Sequence, residues 1–427
     1  MLKFIVEFFS TPAIVIGVVA LIGLLLQRKS AAEVVSGTVK TLLGFLILGV
    51  GAGAIVSALD PITKMFMQAY NLQGFVPFDE LVVGSVAAKL GQETALILAF
   101  GFLANLILAR LTPWKYIYLT GHMLWIHAGA WAIALYSLGL PPTTIVIIGS
   151  IVQGLYTTFF PALAQPFMRK ITGSDEVAFG HGQTLLAVVG GYIAKLIGKP
   201  EQTAEDLKVS DSWSFFRDMA ISMSIIMLIV AIPAAVIAGP KYIQDNLSGG
   251  QNYLIFALLK ALGFTAGVLV LLQGVRMFIA EMVPAFRGIA TKVVPGAKPA
   301  LDCPVIYPYA PNSLMIGLIT GTIAQVLAIA CIIAIGWPVP IPSMIVAFFA
   351  SGTGAIFGNA FGGRRGAIFG GFFWSFAGFL LSSWALQARI FGDLAALGAS
   401  GIGFVVPDGI VIGAIIRFIG ALFGLPS

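Results

Sequence analysis

The sequence predicts an all-α polytopic membrane protein with about eleven transmembrane helices plus re-entrant hairpins. Three observations predict it. Of 427 residues, 59% are hydrophobic and only 10% are charged, whereas soluble proteins carry roughly 25% charged residues. Mean hydropathy is +0.99. The apolar residues also lie in long runs bounded by Gly, Pro and charge. A soluble domain of this composition would leave large apolar patches wet. A transmembrane barrel would read as alternating segments of about ten residues, and that pattern is absent.

The first apolar run is Thr11–Leu26, followed by Arg28 and Lys29. A signal peptide cleaved near Ala31-Ala32 is the rival reading. The basic pair directly after the run favours a retained span with its N-terminus outside. Further runs are Thr41–Leu59, Leu81–Ala109, Tyr116–Gly139, Thr143–Pro161, Ala178–Ile197, Phe216–Ala238, Leu254–Met277, Leu314–Ile335, Met344–Phe357, Ala367–Leu386 and Gly409–Leu425. Two are flawed as plain spans. Ala178–Ile197 opens on Gly180-His-Gly-Gln183, and Met344–Phe357 is short and runs into Gly and Asn. Interrupted apolar segments of this kind point to half-helices around a polar site. Lys199–Trp213 is the longest charged loop, and its Thr-Ala-Glu-Asp-Leu-Lys stretch can start a short surface helix. Arg287–Lys298 reads as a basic interfacial segment.

The formal charge is +6, from 24 Lys+Arg and 18 Asp+Glu. In a membrane protein this excess belongs to cytoplasmic loops. No basic stripe with interleaved aromatics suggests nucleic acid, so none is expected as a partner. Cys303 and Cys331 make no disulfide framework, and Cys303 reads as a small packing residue. The histidines at 122, 127 and 181 show no local ligand spacing, so no metal site is expected.

An ionisable side chain within an apolar run needs a reason, because its insertion costs several kcal/mol. His122 and His181 each follow a glycine near a helix break. Asp302 lies between Pro299 and Pro304, where it either caps a helix or serves a site. Asp79 and Glu80 occupy the matching place of the first half. His127 reads as a packed, hydrogen-bonded histidine. If His122, His181, Gln183 and Asp302 converge, they make a set of hydrogen-bond donors and acceptors with one negative charge, suited to a polyhydroxy solute.

The two halves are faintly alike. Lys40-Thr-Leu-Leu-Gly-Phe45 resembles Lys260-Ala-Leu-Gly-Phe264, 220 residues later, and Phe75-Val-Pro-Phe-Asp79 sits against Pro299-Ala-Leu-Asp302, 223 residues later. Two repeats are expected, inverted if each holds an odd number of spans, with a site at their interface. The GxxxG spacings Gly49–Gly53, Gly317–Gly321, Gly354–Gly358 and Gly366–Gly370 suit close helix approach.

Eight blocks occur in order: Gly37-Thr-Val-Lys-Thr-Leu-Leu-Gly-Phe45, Leu119-Thr-Gly-His122, Phe179-Gly-His-Gly-Gln183, Gln273-Gly-Val-Arg-Met-Phe-Ile-Ala-Glu281, Pro295-Gly-Ala297, Leu301-Asp-Cys303, Ile306-Tyr-Pro-Tyr-Ala-Pro-Asn312 and Phe361-Gly-Gly363. Together they resemble the ascorbate-specific EIIC membrane component of the bacterial phosphoenolpyruvate:sugar phosphotransferase system (PTS). The resemblance runs from about residue 30 to 370. It implies a homodimer in the bacterial inner membrane, whose protomers divide into a dimerising scaffold domain and a mobile core domain. On that reading residues 1–215 form the first inverted repeat (scaffold spans about 11–60, core about 75–198). Residues 216–427 form the second (scaffold about 216–298, core about 299–427).

The resemblance further implies import by an elevator-type movement. Phosphorylation of the solute would follow, from a cytoplasmic IIB partner carrying phosphocysteine and itself supplied by IIA. The chain would not be catalytic alone and would need no cofactor, the phosphoryl donor being the partner. The family's substrate-binding positions map onto His122, His181 and Asp302. Gln183, Asp79, Glu80, Asn312 and Thr353 complete the candidate substrate contacts, and Asp302 is the candidate catalytic residue. Ile126, Gly182 and Glu80-Leu81 stand where the family pattern has other, polar side chains. Changing a hydrogen-bonding partner alters specificity by orders of magnitude, so the expected solute is ascorbate or a related sugar-like molecule. The alternative is a proton- or sodium-coupled secondary transporter that releases a polar solute unmodified.

Overall fold

The computed structural model describes residues 12–69, 71, 74–207 and 219–425. Thr11, Phe216–Asp218 and the Lys208–Trp213 part of the charged loop lie outside the described residues. The helices of the first half are α1 (Pro12–Leu26), α2 (Ala31–Ala69), α3 (Asp79–Leu111), α4 (Gly121–Ser137), α5 (Pro142–Thr172) and α6 (Thr184–Ile197). Those of the second are α7 (Met219–Ala238), α8 (Pro240–Asn246), α9 (Tyr253–Lys292), α10 (Pro311–Ile335), α11 (Met344–Gln387) and α12 (Pro407–Leu422). Among the described residues, five short strands interleave with them: β1 (Val76–Pro77), β2 (Tyr116–Tyr118), β3 (Ala178–Phe179), β4 (Lys298–Leu301) and β5 (Ile402–Gly403).

Local chemistry sets the boundaries. Ser30 and Glu33 exchange hydrogen bonds in a capping box that starts α2. Pro311 and Pro407 open α10 and α12 at the first turn, where a missing N–H costs nothing. Gly173 and Gly336 adopt left-handed backbone (φ 69° and 71°) just past α5 and α10. The Thr-Ala-Glu-Asp stretch forms a single 3₁₀ turn, Ala204–Asp206, capped by Thr203. In the segment after Arg287, α9 continues to Lys292 before the chain turns into β4.

Among the described residues, six helices are long and apolar enough to cross a membrane, or seven if the bent α7–α8 pair is one span. The other apolar runs are shorter helices. A strand and turn cut Tyr116–Gly139 and Ala178–Ile197, leaving α4 with 17 residues and α6 with 14. Large apolar side chains such as Val50, Ile229 and Phe418 stand exposed on the outside, as lipid-facing positions do.

The runs Met344–Phe357 and Ala367–Leu386 are two arms of one hairpin. Gly363, with φ 60° and ψ −155°, reverses the chain. Gly354 then faces Gly370, and Gly358 faces Gly366, backbone against backbone. These GxxxG pairs let the arms 344–362 and 364–387 touch. Lys199 donates its N–H to the Gly362 carbonyl and Arg364 donates to the Gln202 carbonyl, which pins the turn.

The helices α1, α2, α7 and α9 pack together as one group. Here the small-residue expectation is displaced by a few positions. Gly49 and Gly53 face open space, whereas Gly44 and Gly51 lie against the α9 backbone at Phe278 and Leu271. α8 packs against α7 and α9, and the other helices surround two small parallel sheets among the described residues. In one, β1 pairs with β5; in the other the order is β2-β4-β3. Residues far apart in sequence thus meet edge to edge. Asn105 of α3 holds β2 in place, donating to the Tyr116 carbonyl and accepting from the Tyr118 N–H, each at 3.0 Å.

Candidate functional site

The three-stranded sheet is the pedestal of the site. Its strands run parallel, so their C-terminal ends lie together. Beyond β2 come Leu119-Thr120-Gly121 and then His122, the second residue of α4. Beyond β3 come Gly180 and His181. Beyond β4 comes Asp302, which caps the 3₁₀ turn Cys303–Tyr309 by accepting the Cys303 N–H at 2.7 Å. The Thr120 hydroxyl donates to the Gly180 carbonyl and ties the two histidine loops together.

His122 Nδ1 lies 3.7 Å from Asp302 Oδ2, and His181 Nε2 lies 3.6 Å from Asp302 Oδ1. The imidazole centroids are 5.8 Å apart. His122 is the most open of the three, its side chain 42% exposed, against 25% for Asp302 and 11% for His181. A small cleft is lined by His122 and Asp302 on one side and by Ile16, Phe45 and Phe278 on the other. The apolar wall comes from α1, α2 and α9, so the site lies at the seam between that helical group and the sheet.

Gln183 is buried at the start of α6. Its Nε2 lies 3.4 Å from the Phe349 carbonyl, and its Oε1 is buried without a hydrogen-bond partner. The same carbonyl accepts from the Tyr307 hydroxyl at 3.0 Å and the Thr353 hydroxyl at 2.8 Å. A π-helical turn, Ala347–Ser351, puts that carbonyl there; such turns loosen the regular ladder and often mark functional sites. Thr353 and Gln183 therefore meet around one backbone oxygen, and chain connectivity puts Gln183 two residues from His181.

The other candidates stand elsewhere. Asp79, the first residue of α3, is buried and accepts the N–H groups of Val405 and Val406, each at 3.1 Å. Glu80 beside it is half-buried. Asn312 opens α10 and faces the 3₁₀ turn, where its N–H donates to Glu205 Oε2 at 2.9 Å. His127 is fully buried, with Nδ1 2.7 Å from the Met123 carbonyl and its ring 4.4 Å from that of Tyr156. Ile126 is buried. A Cβ on Gly182 would come 2.3 Å from Val406 and 2.7 Å from His127, so this loop has no room for a larger, polar side chain there.

Sequence reasoning passed over Asp408. It is fully buried at the start of α12 and accepts from Leu185 N–H at 2.8 Å, Thr184 N–H at 3.2 Å and the Tyr156 hydroxyl at 3.0 Å. One carboxylate thus satisfies the first amides of α6 and fixes the turn that carries His181 and Gln183. The signal was present, since Pro407-Asp408 is a helix opening with a charge inside an apolar stretch. Asp408→Ala is expected to destabilise the protein by about 2–5 kcal/mol, because three buried donors lose their acceptor. Asp408→Asn should retain part of that stability. Thermal unfolding of the detergent-purified variants checks both.

A multi-pass helical chain with a polar, cavity-facing cluster at the seam of two helical groups is a membrane permease in class. The chain belongs to the EIIC-GAT family, the sugar-specific permease component of the PTS, whose family model matches residues 7–424. It is a multi-pass protein of the bacterial cell membrane. A similar curated protein is the "Ascorbate-specific PTS system EIIC component" of Mycoplasma pneumoniae, 28% identical over 415 residues. That alignment covers 85% of this chain, and the chain spans 63% of the length of that relative.

Proposed function

We propose that the chain imports ascorbate or a closely related sugar-like solute, with phosphorylation by a cytoplasmic IIB partner carrying phosphocysteine. The carrying observation is the convergence of His122, His181 and Asp302 on a cavity between two helical groups. Neutral imidazoles offer a donor and an acceptor each, and the carboxylate accepts. In the proposed step the S–P bond of the partner breaks and an O–P bond forms to a solute hydroxyl. Asp302 takes the proton from that hydroxyl. Such transfer is mostly positioning and charge stabilisation.

The distribution of charge supports access from the cytoplasm. Lys170 and Lys195 lie over the Phe361 ring near the hairpin turn, 4.9 and 5.9 Å from its centroid. Lys298, at the start of β4, pairs with Asp175, as does Arg169. By the positive-inside rule this face is cytoplasmic. The strands run from it toward the cluster, and four residues separate Lys298 from Asp302, or about 13 Å. A phosphoryl donor at that face has a short distance to cover.

The spacing of elements supports two inverted repeats with the boundaries given above. α2 and α9 begin at residues 31 and 253, β1 and β4 at 76 and 298, and α6 and α12 at 184 and 407. Each pair is separated by 222 or 223 residues, close to the offsets of the sequence matches. The strand leading each half pairs with the last strand of the other. An elevator movement of the core along α1, α2 and α9, and a homodimer formed through the scaffold, complete the proposal.

The buried carboxylates Asp79 and Asp408 favour a second reading, ion-coupled transport without phosphorylation. One experiment separates the two. Vesicles holding the purified protein are loaded with phosphoenolpyruvate, the general phosphocarriers and IIA and IIB. Phosphorylated solute inside, formed despite an uncoupler, supports the first reading. Unmodified solute whose uptake collapses with the uncoupler selects the second. A thermal-shift screen against ascorbate, pentoses, hexoses and polyols names the solute, since a ligand of the folded state raises apparent stability.

A further inference from the structure

The donor set His122, His181 and Asp302 has a chemistry beyond sugar recognition. Two imidazole nitrogens and a carboxylate oxygen lie within 4.8 Å of one another. At 3.6 and 3.7 Å the histidines are too far from Asp302 for direct hydrogen bonds. Each histidine faces a different oxygen of the carboxylate, and the three side chains converge on one space. A tetrahedral zinc with bonds near 2.0–2.1 Å holds neighbouring ligand atoms about 3.4 Å apart, so closing the widest gap in the set, up to 4.8 Å, takes side-chain movements of about 1.4 Å. Two further features point the same way. Among the described residues, no Lys or Arg pairs with Asp302, and the ionisable groups facing its charge are the two imidazoles. The Cys303 N–H fixes Oδ1 and holds the carboxylate in place, as second-shell bonds do for metal ligands.

We infer that His122, His181 and Asp302 form a divalent transition-metal site that binds Zn²⁺ and, when occupied, excludes the solute. Three protein ligands leave a fourth position open toward the cavity, where water completes the shell. Imidazole with carboxylate suits zinc better than magnesium or calcium, which prefer all-oxygen shells. Local spacing could not reveal such a site, because residues 122, 181 and 302 come from three strands joined only by the fold.

The test is calorimetric titration of Zn²⁺ into tag-free, chelator-treated, detergent-purified protein, without solute, so that it is independent of the transport reading. One Zn²⁺ per chain is expected, with a Kd of about 10 µM or tighter. His122→Asn and Asp302→Asn should each weaken it at least about tenfold. Cys331→Ser, which removes an exposed thiol, should leave it unchanged. Co²⁺ in place of Zn²⁺ should give visible absorption that both ligand variants lose. Because His122 is the most open of the three side chains, its variant remains informative if the other fails to fold. No binding up to about 1 mM Zn²⁺, or binding that survives both ligand variants, overturns the assignment. A solute found by the thermal-shift screen should shift the Zn²⁺ titration to higher concentration; simultaneous binding would overturn the exclusion.

Discussion

Asp302→Asn is expected to lower the initial rate of phosphorylated-solute formation by about 100-fold or more. Asparagine keeps the shape of the side chain, and its carbonyl can still accept the Cys303 N–H, so the cap of the 3₁₀ turn survives. What is lost is the negative charge and the ability to take a proton. The thermal midpoint should therefore stay close to that of the parent while the rate falls. The measurement pairs rate in reconstituted vesicles with unfolding in detergent. A rate within about threefold of the parent, with phosphorylated IIB in excess, would rule out the proposed base.

Gly358→Leu should produce a large loss of stability away from the site. A Cβ there would come 2.0 Å from the Gly366 carbonyl oxygen and 2.7 Å from its carbon. The neighbour is backbone, so it cannot swing aside as a side-chain tip could. The arms of α11 must separate along their contact, costing at least about 3 kcal/mol. Gly49→Ala gives the contrast, since a Cβ there meets nothing within 4 Å. Alanine is also the better helix former, by up to about 1 kcal/mol. Unfolding midpoints of the two variants should move in opposite directions; equal losses would show that the hairpin contact is not what holds the arms.

Much of the site was legible because membrane burial makes polar side chains conspicuous. His122, His181 and Asp302 stand out against apolar runs, and each adjoins a glycine or proline that interrupts a helix. Asn312, a candidate only through the resemblance, anchors α10 on the Ala204–Asp206 turn. Gly49–Gly53 carried the right spacing on a face that meets no neighbour. There the residue type was read correctly and the face it presents was not. Asp408 escaped because a helix-opening aspartate is common, and only its depth distinguishes it.

From the order of residues alone followed the membrane class, most helical runs, their breaks and the residues too costly to bury without a purpose. These follow from composition and spacing within some twenty positions, which water and lipid sort locally. The meeting of residues 116–118, 178–179 and 298–301 in one sheet, the folding back of 344–387 at Gly363, and the bridge from Asp408 to α6 came only with the assembled chain. Strands of two to four residues carry no periodicity of their own. Their register is set by hydrogen bonds to partners over a hundred positions away, and no local pattern encodes which partner that will be.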